Sequence, residues 1–131
     1  MTTTLQASDI FSNIAAKDYL SVFHQNKPDC QAVLDILKFK KADVAKAVEI
    51  PLYSVRWDEK MSPELSERIA EWANLLNLVA GHFGGDAGKT ALWFAAENPM
   101  LGNVSPRDMI RMGRYGKLLK FVLNALSGNR R

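Results

Sequence analysis

Residues 62–85 carry the pattern that most restricts the fold. Ser62-Pro63 reads as a helix start, with serine as N-cap and proline at the first helical position, where its missing N–H is not needed. From there Leu65, Ile69, Trp72, Leu76, Val79 and Phe83 recur at helical period, which predicts one amphipathic helix to about His82. Glu64 and Glu67 fall in its first turn, where negative charge suits the helix dipole. Gly84-Gly85 ends it. Such a helix joins two halves of the chain.

The half after it is organised by Trp93–Pro106, WFAAENPMLGNVSP. Asp86 caps a helix from Ala87 to about Ala96. Pro99 must stop or kink that helix. An apolar pair (Met100, Leu101), a turn pair (Gly102-Asn103) and a second Ser-Pro start (Ser105-Pro106) come next. The stretch holds no nucleophile, no metal ligands and no carboxylate pair, so it acts by shape. Pro106 opens a short helix to about Arg111, and Gly113 and Gly116 punctuate the chain beyond it. A final helix from about Lys117 to Leu126 turns Leu118, Leu119, Val122, Leu123 and Leu126 inward, with Gly128 as its stop.

The half before it begins loosely, since Thr2-Thr3-Thr4 and Ser8-Asp9 are poor helix formers. Residues 16–25 are expected as a short helix with Tyr19, Leu20 and Phe23 inward. Asn26-Lys27-Pro28-Asp29 breaks it, and Pro28 opens a helix on which Val33, Leu34 and Leu37 share a face. A helix from Lys41 to Val48 places Val44, Ala45 and Val48 on one side. Glu49-Ile50-Pro51 is a tight break, and a second helix of two turns is expected from Leu52, with Val55 inward. Two short helices so joined match a helix-turn-helix. On that reading Lys41, with Lys40 and Lys46, suits DNA phosphates, and Tyr53, Ser54 and Arg56 face the groove. A plain helical hairpin competes with it, because Leu52, Tyr53 and Trp57 make an apolar outer face that suits a dimer or another partner. No sustained alternation occurs anywhere, so the fold class is all-α.

Composition narrows the function. The chain has 131 residues, 47% hydrophobic and 24% charged, which suits a compact globular protein. No apolar run approaches the roughly 20 residues of a membrane helix, and MTTTLQASDIF has no signal-peptide pattern. With a single Cys30 the expected location is the cytoplasm. Net charge is +3, but residues 86–131 hold eight Lys/Arg against three Asp/Glu. That excess favours an acidic partner, or else is a solvated face. GGDAGKT at 84–90 is one residue short of a phosphate loop and follows a helix rather than a strand. His24 and His82 have no ligand cluster beside them, so no metal and no cofactor are expected. Cys30 sits at a helix start and reads as a packing residue. Dispersed carboxylates make an enzyme the weakest class.

The helix-turn-helix upstream, together with Phe83-Gly84-x-Asp86, Trp93, Asn98-Pro99, Leu101-Gly102, Pro106 and a glycine-punctuated final helix, resembles the Xre/MbcA/ParS antitoxin family over roughly residues 30–128. The resemblance implies a helix-turn-helix domain over residues 1–61, a connecting helix over 62–85 and a toxin-binding domain over 86–131. It implies a type II antitoxin, not an enzyme, that blocks an RES-type, NAD-depleting toxin. It further implies a homodimer that represses its own operon by binding operator DNA. Trp93, Asn98, Pro99, Leu101, Gly102 and Pro106 then shape the toxin-binding domain. The basic excess nominates Arg107, Arg111, Arg114, Arg130 and Arg131 for the toxin contact. The chain departs from the family pattern at Asn103, where a second glycine is common, and at Glu49, where the helix-turn-helix turn usually has glycine. A helix-turn-helix regulator without a toxin, and a helical interaction module that does not bind DNA, are the alternatives.

Overall fold

The computed structural model describes residue 15 and residues 17–128. The expectation of a loose segment over 1–15 therefore falls almost wholly outside the described residues. Among them the chain is all-α apart from one two-residue hairpin, β1 (Phe23–His24) with β2 (Lys27–Pro28). Six α-helices come after it: α1 (Cys30–Leu37), α2 (Lys41–Val48), α3 (Pro63–His82), α4 (Ala87–Ala95), α5 (Pro106–Arg111) and α6 (Tyr115–Gly128). No described helix is long and apolar enough to cross a membrane.

The long helix lies at the centre. Ser62 Oγ accepts from Leu65 N at 3.1 Å, and Pro63 is its first residue. Leu65, Ile69, Trp72, Leu76 and Val79 are buried, as the stripe requires, but so are Ala73, Leu75, Asn77 and Ala80. The buried arc is wider than one stripe because α3 is covered from several sides. The hairpin, α1, α4 and α6 all pack on it. One apolar core runs through Val33, Leu37, Val44, Trp72, Leu76, Phe94, Ile110 and Leu118. α2 packs against α5 and α1 against α4, so the segments before and after α3 also touch each other.

Two expectations are corrected here. Residues 17–25 form turns and β1 instead of a helix. Asp18 accepts from the backbone N–H of Val22 (2.9 Å) and Phe23 (3.0 Å), an alternative to helical hydrogen bonding. Ser21, Gln25 and Asn26 stand at φ 56°, 52° and 67°, which no helix contains. Asn77 of α3, only 1% exposed, holds the segment in place. Its Oδ1 accepts from Leu20 N (3.1 Å) and its Nδ2 donates to Asp18 (2.9 Å). α1 accordingly starts after Asp29, whose Oδ1 accepts from Ala32 N at 3.1 Å.

The second correction is at Leu52. The two-turn helix expected there is a single 3-10 turn, Leu52–Ser54, which leads into extended chain. Val55 does turn inward and is 3% exposed. The helix fails because Asp58 takes over the local donors. Its carboxylate accepts from Arg56 and from Lys60 N (2.9 Å), and its carbonyl accepts from Met61 N (2.9 Å). A turn closes where a second helical turn would form.

The remaining boundaries are set by their caps. Asp86 Oδ1 accepts from Lys89 N (2.9 Å) and opens α4. Ser105 Oγ accepts from Asp108 N (3.2 Å) and opens α5. Gly113, at φ 78°, lets Arg114 N reach back to Met109 O (2.8 Å) and closes α5. α6 begins at Tyr115, two residues earlier than expected, so Gly116 lies inside its first turn. Leu118 and Val122 are buried, while Leu119, Leu123 and Leu126 are half-buried.

Candidate protein-binding and nucleic-acid-binding surfaces

The Trp93–Pro106 corner is closed on a single residue. Asn98 N donates to Val104 O (3.2 Å), and its carbonyl accepts from Leu101 N (2.9 Å) and Asn103 N (3.0 Å). Its side-chain Oδ1 accepts from Met100 N at 2.9 Å. Pro99, Met100 and Leu101 form a 3-10 turn, after which Gly102 (φ 73°) and Asn103 (φ 65°) reverse the chain. Asparagine tolerates that conformation, so the missing second glycine leaves the turn intact. Pro106 is buried at the start of α5, whereas Pro99 and Met100 face solvent.

Trp93 is half-buried and meets Phe94 edge-on, ring centroids 5.0 Å apart. It also lines an open apolar groove of about 180 Å³ between the end of α3 and the last turns of α6. Phe83, Phe121 and Leu126 line it with Trp93, and Asn98 and His82 contribute polar atoms. α6 beside it carries Lys117 and Lys120 and no acidic residue.

The expected toxin-contact arginines divide. Arg107 turns back to the other half of the chain. Its Nη2 donates to Lys38 O (3.2 Å), and its guanidinium carbon lies 6.0 Å from the Phe39 ring centroid. Arg111 pairs with Asp108 at 2.8 Å and reaches toward Asp43 at 3.9 Å. Arg114 is exposed. Arg130 and Arg131 lie outside the described residues.

The expected DNA-contact residues are brought together around the Leu52–Ser54 turn. Glu49 takes φ 62° at the end of α2, so the geometry a glycine would supply is present without one. Tyr53 is 83% exposed and Leu52 57%, and Ser54 is half-buried. Lys41 Nζ sits 5.5 Å from the Trp57 ring centroid. Arg56 grips Asp58 with Nε (2.8 Å) and Nη2 (2.6 Å). The hydrogen bond to Asp58, partly offset by desolvation, raises the arginine's pKa, and the same bond to Arg56 lowers that of the carboxylate. Its fork is thus engaged within the chain.

Several other groups have plain structural roles. Burial and then the neighbouring Asp29 charge push the Cys30 thiol up to about 11, so it stays protonated at neutral pH. Thr90, fully buried, donates to Asp86 O at 2.8 Å, and the Asp86 carboxylate occupies the first turn of α4 where a phosphate would sit. His24 Nε2 lies 2.9 Å from Asp29. No group of three or more His, Cys, Asp or Glu with the arrangement of a metal site occurs among the described residues. Neither Asn77 nor the Arg107–Lys38 contact was anticipated from the sequence. A polar residue within an otherwise apolar helix stripe was a signal for the first. Nothing local signalled the second.

Compared with known proteins, the chain is 34% identical over 74 residues to a Yersinia enterocolitica protein named Antitoxin Xre, a stretch covering 53% of this chain. The chain spans 50% of the length of that curated relative. No family model matches the chain, and no solved structure matches it.

Proposed function

We propose that the chain is the non-enzymatic antitoxin of a type II toxin–antitoxin pair, working in the cytoplasm. It binds an RES-type, NAD-depleting toxin through residues 86–131. Through residues 1–61, as a homodimer, it binds operator DNA and represses its own operon, with residues 62–85 as the connection. The observation that carries this reading is the 34% identity over 74 residues to a protein named Antitoxin Xre.

Geometry supports the division of labour. The corner built by Trp93, Asn98, Pro99, Leu101, Gly102 and Pro106 is rigid because its backbone donors close on Asn98. A rigid corner beside an apolar groove gives a partner's apolar side chain a preorganised seat, which lowers the entropy cost of binding. The Arg114, Lys117 and Lys120 charges beside it attract an acidic rim. Arg107, Arg111, Arg130 and Arg131 are the other basic residues assigned to the toxin contact in this reading. On the DNA side, Lys41 holds phosphate while Tyr53, Ser54 and Arg56 approach the groove once Arg56 exchanges Asp58 for the nucleic acid.

Co-expression with the product of the adjacent gene tests the reading. The two proteins should co-purify, and cellular NAD should stay at its normal level only when both are made. Reversing Arg114, Lys117 and Lys120 to glutamate should weaken the complex at least tenfold. An RES-type neighbour that neither co-purifies nor is neutralised would overturn the proposal. The exposed Leu52 and Tyr53 favour a second reading, a helical interaction module without DNA binding. A gel shift with DNA upstream of the operon separates the two.

A further inference from the structure

Positive charge concentrates where the two halves of the chain meet. Residues 38–40 join α1 to α2, and α5 is brought against them by the Arg107 hydrogen bond to Lys38 O. Lys38, Lys40 and Lys41 are exposed on one side of this contact, and Arg107, Arg111 and Arg114 lie along and beyond α5 on the other. Three carboxylates lie in the same region, and each is already engaged. Asp35 accepts from Gln31 Nε2 (2.9 Å), Asp43 from Lys40 N (2.8 Å), and Asp108 pairs with Arg111 (2.8 Å). Among the described residues, Lys38, Lys40, Lys41, Arg107 and Arg114 make no ion pair.

We infer that this face, built jointly by the α1–α2 turn and α5, is a contact surface for the phosphate backbone of double-stranded DNA. The inference rests on the DNA-binding part of the proposed function and adds Lys38, Arg107 and Arg114 to Lys40 and Lys41; the two arginines are then shared with the proposed toxin contact. The chemistry favours phosphate over an acidic protein. Lys38 and Lys40 on the turn and Lys41 at the start of α2 are ammonium point charges close together in the chain, suited to a repeating row of charges read without sequence preference. Lys40 and Lys41 stand at the start of α2, whose free backbone N–H groups add to the same field. Phe39 between Lys38 and Lys40 is 6% exposed, so it offers no aromatic anchor of the kind on which protein interfaces centre. DNA seated here touches both halves at once.

The test is the affinity of the full chain for a random-sequence DNA duplex, measured between about 50 and 200 mM salt. Five unpaired cations should give a log–log slope of about −4 to −5 per bound chain, a loss of roughly several-hundred-fold over that range for each chain. Lys38→Asn suits the positive φ at that position, and Lys40→Ser supplies a better helix cap, so both keep the fold. Together they should flatten the slope by about two, and Arg107→Gln by about one, equally for all sequences. Unchanged slopes in both the double variant and Arg107→Gln overturn the inference. So does a Lys38→Asn/Lys40→Ser protein that keeps its slope but no longer co-purifies with the toxin, since the face then belongs to an acidic protein. If the unaltered chain fails to bind the duplex near 50 mM salt yet co-purifies with the toxin, this surface falls and the antitoxin reading stands. Failure to co-purify with an intact salt slope has the opposite meaning.

Discussion

Residues 49–63 and residues 96–106 are two versions of one design. Each leaves a helix, passes a proline, makes a 3-10 turn, runs extended and re-enters a helix through Ser-Pro. They differ in what closes them. The second corner closes on itself, because the backbone donors of Leu101, Asn103 and Asn98 itself are all satisfied by Asn98 and Val104. The first has backbone bonds only within its short turns, Ser54 N to Pro51 O (2.9 Å), Val55 N to Leu52 O (3.0 Å) and Met61 N to Asp58 O (2.9 Å), and none across the corner like that from Asn98 to Val104. Val55 in the core, the Arg56–Asp58 pair and Lys41 over Trp57 hold its two ends instead. A corner closed by its own backbone keeps its shape while its surface changes partners. One closed by side chains changes shape when those side chains are recruited elsewhere. This contrast fits a rigid seat for a protein in the C-terminal half and an adjustable surface in the N-terminal half.

The contrast can be broken most forcefully at Phe94, which is 1% exposed beneath the second corner. Phe94→Ala should cost about 3–5 kcal/mol, read by denaturant unfolding, and abolish toxin co-purification. Ser105→Ala comes next. Its hydroxyl caps α5 and is buried, so about 1–2 kcal/mol should be lost, against about half that for the exposed Ser62. Equal losses at the two serines would remove the distinction between the corners. Asn98→Ala deletes only the bond to Met100 N and should cost about 1 kcal/mol while loosening the corner, seen as faster amide exchange at Leu101 and Asn103. Arg56→Ala should leave the unfolding midpoint essentially unchanged, because the pair is exposed, yet should change operator binding.

Acid offers the mildest probe. Asp18, Asp29 and Asp58, all in the N-terminal half, have lowered pKa values. Burial opposes the shift at Asp18, but hydrogen bonds from Asn77, Val22 and Phe23 outweigh it. The Ala32 N–H leads at Asp29 and the Arg56 hydrogen bond at Asp58. Carboxylates held below their ordinary 3.8 stabilise the fold above that pH and lose the contribution as pH falls through the depressed value. As pH falls below 3.8, amide exchange taken relative to its intrinsic rate at each pH should therefore rise first around Val22, Phe23 and Ala32. A rise beginning at residues 98–104 would contradict the comparison.

The extent to which the fold was legible depended on how local each determinant was. Ser62, Asp86, Ser105 and the glycines act on residues within one turn of themselves, so α3, α4 and α5 were readable as written. The final helix began early because Arg114 N reaches back to Met109 O and lets Tyr115 open α6 at once. The segment near Asp18 was misread because its partner, Asn77, lies 59 positions away. The turn at Leu52 was misread although Asp58 is close, because apolar spacing suited either a helix or a turn that buries Val55.

For the candidate surfaces the same division holds. Sequence alone determined an all-α chain with a central long helix, a corner made of Asn98, Pro99 and Gly102, and a basic C-terminal half. These rest on caps, periodicity and charge, which need no distant partner. Tertiary structure alone decided that Arg107 faces Lys38 instead of open solvent, that Arg56 is held by Asp58, and that Trp93 lines a groove with α6. Each depends on where a helix lands on α3, and packing of the whole core sets that position.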